Sequence, residues 1–205
     1  HKDKKGKIYT GLRGEVTKDT LKLFYSPGVA AASKYATDSP EKLKEVSWTH
    51  NLVAIVSDGS AVLGLGDIGP YGAMPVMEGK AMLFKHFGNI DAVPIVLDVH
   101  TADEIVAAVK AIAPSFGGIN LEDIAAPKCF EIEERLKAEL SIPVMHDDQH
   151  GTAIVVLAGL MNALTLKGGQ GIDACRIVIV GAGAAGTAIG KLLELYGATD
   201  IVMVD

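Results

Sequence analysis

The chain has 205 residues, 49% of them apolar, and a formal net charge of −6 at pH 7. That length and apolar content suffice for one large domain or two modest ones with a well-buried core. The acidic balance excludes a general binder of nucleic acid or of anionic membrane, which would need a basic face.

Arginine is scarce, at Arg13, Arg135 and Arg176, so an anionic small-molecule substrate would need a metal ion or a few local cations. Cys129 and Cys175 are isolated, without C-x-x-C spacing, which fits structural thiols in a reducing compartment. No uninterrupted apolar run reaches the length of a membrane span and no secretory signal precedes the fold, so the expected location is the cytoplasm. The first residue is His1 rather than Met, with Lys2, Lys4, Lys5 and Lys7 behind it. That end reads as trimmed, or as left over from expression.

In chain order, the segment before Asn51 is mixed and charged and reads as mainly helical. From Asn51 onward, short Val/Ile/Leu-rich runs alternate with helical patterns, as in a parallel sheet covered on both faces. Leu52 to Val56 is a strand turning at Ser57-Asp58-Gly59-Ser60 into Ala61 to Leu65, a hairpin. Pro75 opens a helix to about Phe87, stopped by Gly88-Asn89. Pro94 to Val99 is a strand. Thr101 and Glu104 form a capping box for a helix to about Ile112. Phe116 to Asn120 is a strand, Cys129 to Leu140 a helix and Ile142 to His146 a buried strand. Gly151 to Lys167 is a helix apolar nearly all round, expected to be enclosed on several sides.

Arg176 to Asp205 spells out a strand, a glycine turn (Gly181, Ala182, Gly183, Ala184, Ala185, Gly186), a helix and a second strand. In a dinucleotide site Gly181 permits the tight turn, Gly183 lets backbone N–H groups approach a pyrophosphate, and Gly186 lets the helix press on the sheet. The phosphates then sit at a helix N-terminus. Asp205, closing the second strand, is placed for the ribose 2′-OH, and its charge favours NAD over NADP. The alternative is a structural glycine turn. The predicted fold class is therefore α/β. A domain with a mostly parallel sheet over 1–150 is followed at 151–205 by the first βαβ unit of a Rossmann nucleotide-binding domain. Two strands and one helix are less than half of such a domain, so the chain reads as a piece of a longer polypeptide.

Acidic pairs collect at the ends of successive strands, Glu122-Asp123 and Asp147-Asp148, and in an open parallel sheet such ends face the ligand crevice. Converging carboxylates suit Mg²⁺ or Mn²⁺ rather than zinc. Alternatively, each pair caps the helix that follows it. Lys80 falls within the apolar arc of Val76, Leu83, Phe84 and Phe87, so it points inward. There desolvation would lower its pKa and make it a usable general base, unless the side chain snorkels to solvent. Tyr25, by itself, is an aromatic packed beside the Ser26-Pro27-Gly28 turn. His146 and His150 flank the acidic pair as supporting or structural groups.

Taken together, Tyr-Ser-Pro-Gly-Val-Ala (25–30), Ser-Asp-Gly-Ser-Ala-Val-Leu-Gly-Leu-Gly-Asp-Ile-Gly (57–69), Met-Pro-Val-Met-Glu-Gly-Lys (74–80), Ile-Asn-Leu-Glu-Asp-Ile (119–124) and His-Asp-Asp-Gln-His-Gly-Thr-Ala (146–153) resemble the malic enzyme family, in its short bacterial and archaeal branch. The resemblance implies oxidation of malate with NAD(P)⁺ and decarboxylation to pyruvate and CO₂, in a homodimer. It implies Tyr25 as the acid that protonates enolpyruvate and Lys80 as the base at the C2 hydroxyl. Asp147 would then be the carboxylate supporting the lysine, with Glu122, Asp123 and Asp148 as metal ligands. Two departures stand out. Larger members hold malate with an arginine where this chain has Ala61, and the family's later nucleotide-domain asparagines lie beyond Asp205. A malolactic variant, releasing lactate with the cofactor retained, and a non-catalytic nucleotide-binding or assembly module are the competing readings.

Overall fold

The computed structural model describes residues 6–205; Lys2, Lys4 and Lys5, and with them the reading of a trimmed terminus, lie outside the described residues. Three short helices come first, α1 (Lys18–Phe24), α2 (Val29–Asp38) and α3 (Leu43–Val46), as the charged N-terminal segment leads one to expect. They bury no residue of their own, and among the described residues α1 packs substantially against no other element.

A four-stranded parallel sheet follows. Its strands are β1 (Leu52–Ser57), β2 (Asp91–Val96), β3 (Gly118–Leu121) and β4 (Val144–His146), in the spatial order β2-β1-β3-β4. The connecting helices are α4 (Gly69–Gly88), α5 (Ala102–Ile112) and α6 (Lys128–Glu139). The two-residue period of β1 sorts its side chains between two helical layers. Ile55 faces Met77 and Ala81 of α4, while Leu52, Ala54 and Val56 face a larger core with Ile105, Val109 and Ile132 from α5 and α6. Burial on both faces is why the central strand reads as one apolar run.

The chain winds one way from β1 to β2 and the other way from β3 to β4. The reversal lies between β1 and β3, and the crevice at the carboxyl ends of these strands is where an open α/β sheet places its ligand. Helix α7 (Asp147–Leu166) leads from β4 into a second unit, in which β5 (Arg176–Val180) and β6 (Asp200–Val204) pair in parallel through α8 (Ala184–Leu195).

Several expectations need correcting. Ala61 to Leu65 is not a hairpin strand: Val62 bridges to Gly66 and Leu63–Leu65 is a 3₁₀ turn, because the loop is tied to the strand ends by the Ala61 N–H bond to the Asp123 carbonyl, 3.0 Å. Helix α4 begins at Gly69, with Pro70 in the first turn, so Pro75 lies inside it. The second strand is Asp91–Val96 rather than Pro94 to Val99. The other two strands are shorter than expected, at Gly118–Leu121 and Val144–His146.

Helix α7 starts at Asp147, four residues early, and is not enclosed: Ile154 is 59% exposed and Val155 67%. It packs against α8 on one side, and no other described element covers those residues. By length and composition α7 could cross a membrane, although its polar first turn means that it is no uninterrupted apolar run. Its first turn, however, belongs to the carboxylate cluster at the sheet.

Candidate active site

Four carboxylates and one amine converge at the carboxyl ends of β1, β3 and β4. Glu122 and Asp123 follow β3 directly, and Asp147 and Asp148 form the first turn of α7, where the helix dipole favours negative charge. Lys80 enters from the middle of α4. Its Nζ donates to Asp147 Oδ2 and lies 3.0 Å from Glu122 Oε1.

The surroundings hold these groups in place. Asn120 Nδ2 donates to Glu122 Oε2 at 2.8 Å, and the Asp123 N–H donates to Asp148 Oδ2 at 2.8 Å. Asp123 sits at φ +53°, in the left-handed region that aspartate tolerates better than most residues. A Cβ on Gly151 would lie 2.4 Å from Asp147 Oδ1, so glycine one turn along α7 leaves room for the carboxylate that meets Lys80. The preceding loop is fixed as well, because buried Asp58 accepts from Lys128 Nζ and from the Ser60 N–H and hydroxyl.

Lys80 points inward as expected, with a side chain 20% exposed, but its neighbours are carboxylates rather than the apolar arc read from the helical wheel. Leu83 and Phe87 of that arc are exposed. Burial lowers the lysine pKa, yet the hydrogen bond to Asp147 and the Glu122 charge outweigh it, and the pKa is raised. The expectation of a desolvation-lowered amine is overturned in this protonation balance. Burial dominates at the acids instead: Glu122 is pushed up to about 7, and Asp123 to about 6 with help from the Asp148 charge.

Ligand atoms of Glu122, Asp123 and Asp148 lie within 4.8 Å of one another. Asp123 Oδ2 is buried without a hydrogen-bond partner among the described residues. An orphaned carboxylate oxygen beside two other acids is costly unless a cation completes it, and an all-oxygen donor set suits Mg²⁺ or Mn²⁺. The residues therefore fit a hard divalent cation.

Tyr25 is not brought to this cluster. It lies at the end of α1, 69% exposed, with Leu12, Arg13 and Phe24 around the same shallow groove. The glycine turn at 181–186 takes the tight strand-to-helix geometry expected of it. Gly181 has φ +104°, and a Cβ on Gly186 would meet the Gly181 carbonyl oxygen at 1.8 Å, so only glycine allows that close packing. A Cβ on Gly183 would meet nothing within 4 Å, and α8 starts there with no side-chain cap. The space and the free N–H groups beside Ala184 and Ala185 fit an external anion. Asp205 folds back, its Oδ1 accepting the Ala182 N–H at 3.0 Å.

Sequence reasoning missed Glu133. Cys129, Ile132, Glu133 and Leu136 form the buried stripe of α6, so an acid at a core position of a 3.6-residue repeat was the available signal. Its carboxylate accepts from the His146 N–H (2.9 Å), His150 Nε2 (2.8 Å) and Lys137 Nζ (2.8 Å).

A parallel-sheet domain with an amine and an acid cluster at its switch point, joined to a glycine-turn βαβ unit, defines the class of the protein as mixed α/β with a parallel sheet. The chain belongs to the malic enzyme family: the family's N-terminal domain matches residues 2–137. It is similar to the NAD-dependent malic enzyme of Geobacillus stearothermophilus, 57% identical over 98% of this chain and 42% of that protein. It is 56% identical to the bifunctional malic/malolactic enzyme of Bacillus subtilis over 100% of this chain and 50% of that one. The crystal structure of the NAD-dependent malic enzyme of Thermotoga maritima superposes with a TM-score of 0.97 at 54% identity, over all of this chain and 54% of that one. The chain thus spans about half the length of the curated relatives it matches.

Proposed function

We propose that a protein of the relatives' length carrying this chain oxidises malate with NAD(P)⁺ and releases pyruvate, CO₂ and NAD(P)H. The observation that carries the reading is Lys80 Nζ held between Asp147 and Glu122 at the edge of the acid cluster. Lys80 is the base that takes the proton from the C2 hydroxyl, and Asp147 orients the amine. Glu122 is one of two causes holding that amine protonated, so neutralising Glu122 frees it toward the base form. Glu122, Asp123 and Asp148 would hold Mg²⁺ or Mn²⁺, which supplies Lewis-acid polarisation of the substrate oxygens. The 181–186 turn would hold the pyrophosphate of the dinucleotide, which supplies the hydride acceptor. Asp205 meets the ribose and favours NAD over NADP.

Tyr25 is the acid that returns a proton to the enolpyruvate carbon. It is carried to the site by the N-terminal segment, whose exposed Leu12, Leu23 and Phe24 are covered in a homodimer. The division of labour is a substrate and metal domain over 1–150 and a nucleotide domain from 151, with α7 as the shared connector. The unpaired cysteines fit a cytoplasmic protein, acting on a small molecule without nucleic-acid or membrane partners.

Malate, Mn²⁺ and NAD⁺ or NADP⁺ supplied to the purified protein should yield reduced cofactor and pyruvate; no reduced cofactor with either dinucleotide rejects the reading. The bifunctional name of the Bacillus subtilis relative supports a second reading, malolactic turnover. Lactate formed without free NADH would select it.

A further inference from the structure

Behind Asp148 lies a buried relay that neither the cluster nor the dinucleotide turn accounts for. His146 is fully buried, and its Nε2 lies 3.2 Å from Asp148 Oδ2, off the alignment of a full hydrogen bond. On the other side of the ring, Nδ1 lies 3.0 Å from the side-chain nitrogen of Gln149, which is itself 3.3 Å from Glu133 Oε2. Glu133 is the fixed end of the chain. Burial raises its pKa, but Lys137, His150 and the His146 N–H together hold it below the usual carboxylate range.

An ionised carboxylate can only accept, so the Gln149 atom facing Glu133 must be the amide nitrogen. That nitrogen's other hydrogen points at His146 Nδ1, which must then be the ring's acceptor. The ring hydrogen is left on Nε2, the nitrogen 3.2 Å from Asp148 Oδ2. Asp148 Oδ2 already accepts the Asp123 N–H, so a second donor there turns this oxygen toward the protein and leaves Oδ1 for a cation.

We propose that Glu133 and Gln149 are positioning residues that fix His146 as the Nε2–H tautomer, and that this hydrogen orients Asp148 for divalent-cation binding. The inference rests on the metal reading above and adds a determinant of affinity at residues outside the ligand set.

The test uses the full-length protein and Mn²⁺ alone, with free Mn²⁺ read by electron paramagnetic resonance. Gln149→Met keeps the side-chain shape but breaks the relay, and should raise the Mn²⁺ Kd about tenfold, within the range found for groups that support metal ligands. In turnover the loss should fall on KM for Mn²⁺ more than on kcat. Nitrogen-15 NMR of the histidines should show His146 as Nε2–H in the parent protein and mixed tautomers in Gln149→Met. His146→Leu should weaken Mn²⁺ at least as much, whereas His146→Gln, whose amide nitrogen reaches the Nε2 position, should recover most of the affinity. Should His146→Leu fail to fold, Gln149→Met and His146→Gln still decide.

The relay is refuted if Gln149→Met binds Mn²⁺ as the parent does while Glu122→Gln does not, a result that leaves the metal reading standing. Parent-like binding in Glu122→Gln and Asp148→Asn removes the metal reading, and the inference with it.

Discussion

Glu122→Gln should stabilise the metal-free protein at alkaline pH, although it deletes a partner of Lys80. The folded pKa is raised from the ordinary 4.5 to about 7, so between those values the folded state binds more protons than the unfolded one. Stability contributed by this group therefore falls as pH rises through that window. At pH 8 the full gap applies, and at about 1.4 kcal/mol for each pH unit it amounts to roughly 3 kcal/mol against folding. Glutamine removes that cost. It cannot accept from both Lys80 Nζ and Asn120 Nδ2, and a mismatched donor costs about 1 kcal/mol. The net expectation is about 2 kcal/mol of stabilisation at pH 8, shrinking to nearly nothing by pH 5, where the folded glutamate is already protonated. Urea unfolding of both proteins in EDTA at the two pH values measures it. Destabilisation at pH 8, or an equal effect at both pH values, would refute the assignment of Glu122 as a buried acid whose desolvation outweighs the Lys80 charge.

Mn²⁺ must compete with the protons held by Glu122 and by Asp123, at about 6. It should raise the thermal midpoint strongly at pH 8 and much less at pH 5.5, as scanning calorimetry can record. Gly186→Ala drives a Cβ against the Gly181 carbonyl oxygen; it should cost about 2–3 kcal/mol in urea unfolding and weaken NAD⁺ binding in titration calorimetry. Thr101→Ala removes the hydroxyl half of the α5 capping box, in which Thr101 Oγ1 accepts the Glu104 N–H at 3.3 Å, and keeps the backbone N–H of residue 101 that Glu104 accepts at 3.0 Å. A loss of about 1 kcal/mol in urea unfolding, without change in Mn²⁺ affinity, is expected.

The parts of the fold that were legible in the sequence are those set by local rules. The capping box at Thr101, the apolar runs of β1 and β3 and the glycine turn at 181–186 each declare themselves through neighbours within a few residues. The acid pairs could be placed at strand ends for the same reason, but their convergence depends on the strand order β2-β1-β3-β4, which no periodicity encodes. Lys80 illustrates the limit. Its inward direction follows from helical spacing, yet its charge state follows from Asp147, 67 positions away. Tertiary constraint also explains the hairpin that did not form, since Ala61 is bonded to the Asp123 carbonyl rather than to a partner strand. The exposed faces of α7 show the same limit, because apolar composition marks a surface for covering without naming what covers it.

The most direct test of the account is Lys80→Met in the full-length protein, assayed with malate, Mn²⁺ and NAD⁺ alongside the Mn²⁺ Kd. Loss of a general base should cut kcat about 10²–10⁴-fold, while Mn²⁺ binds as tightly or more tightly once the competing ammonium is gone. A variant that keeps its kcat would contradict the account at its centre.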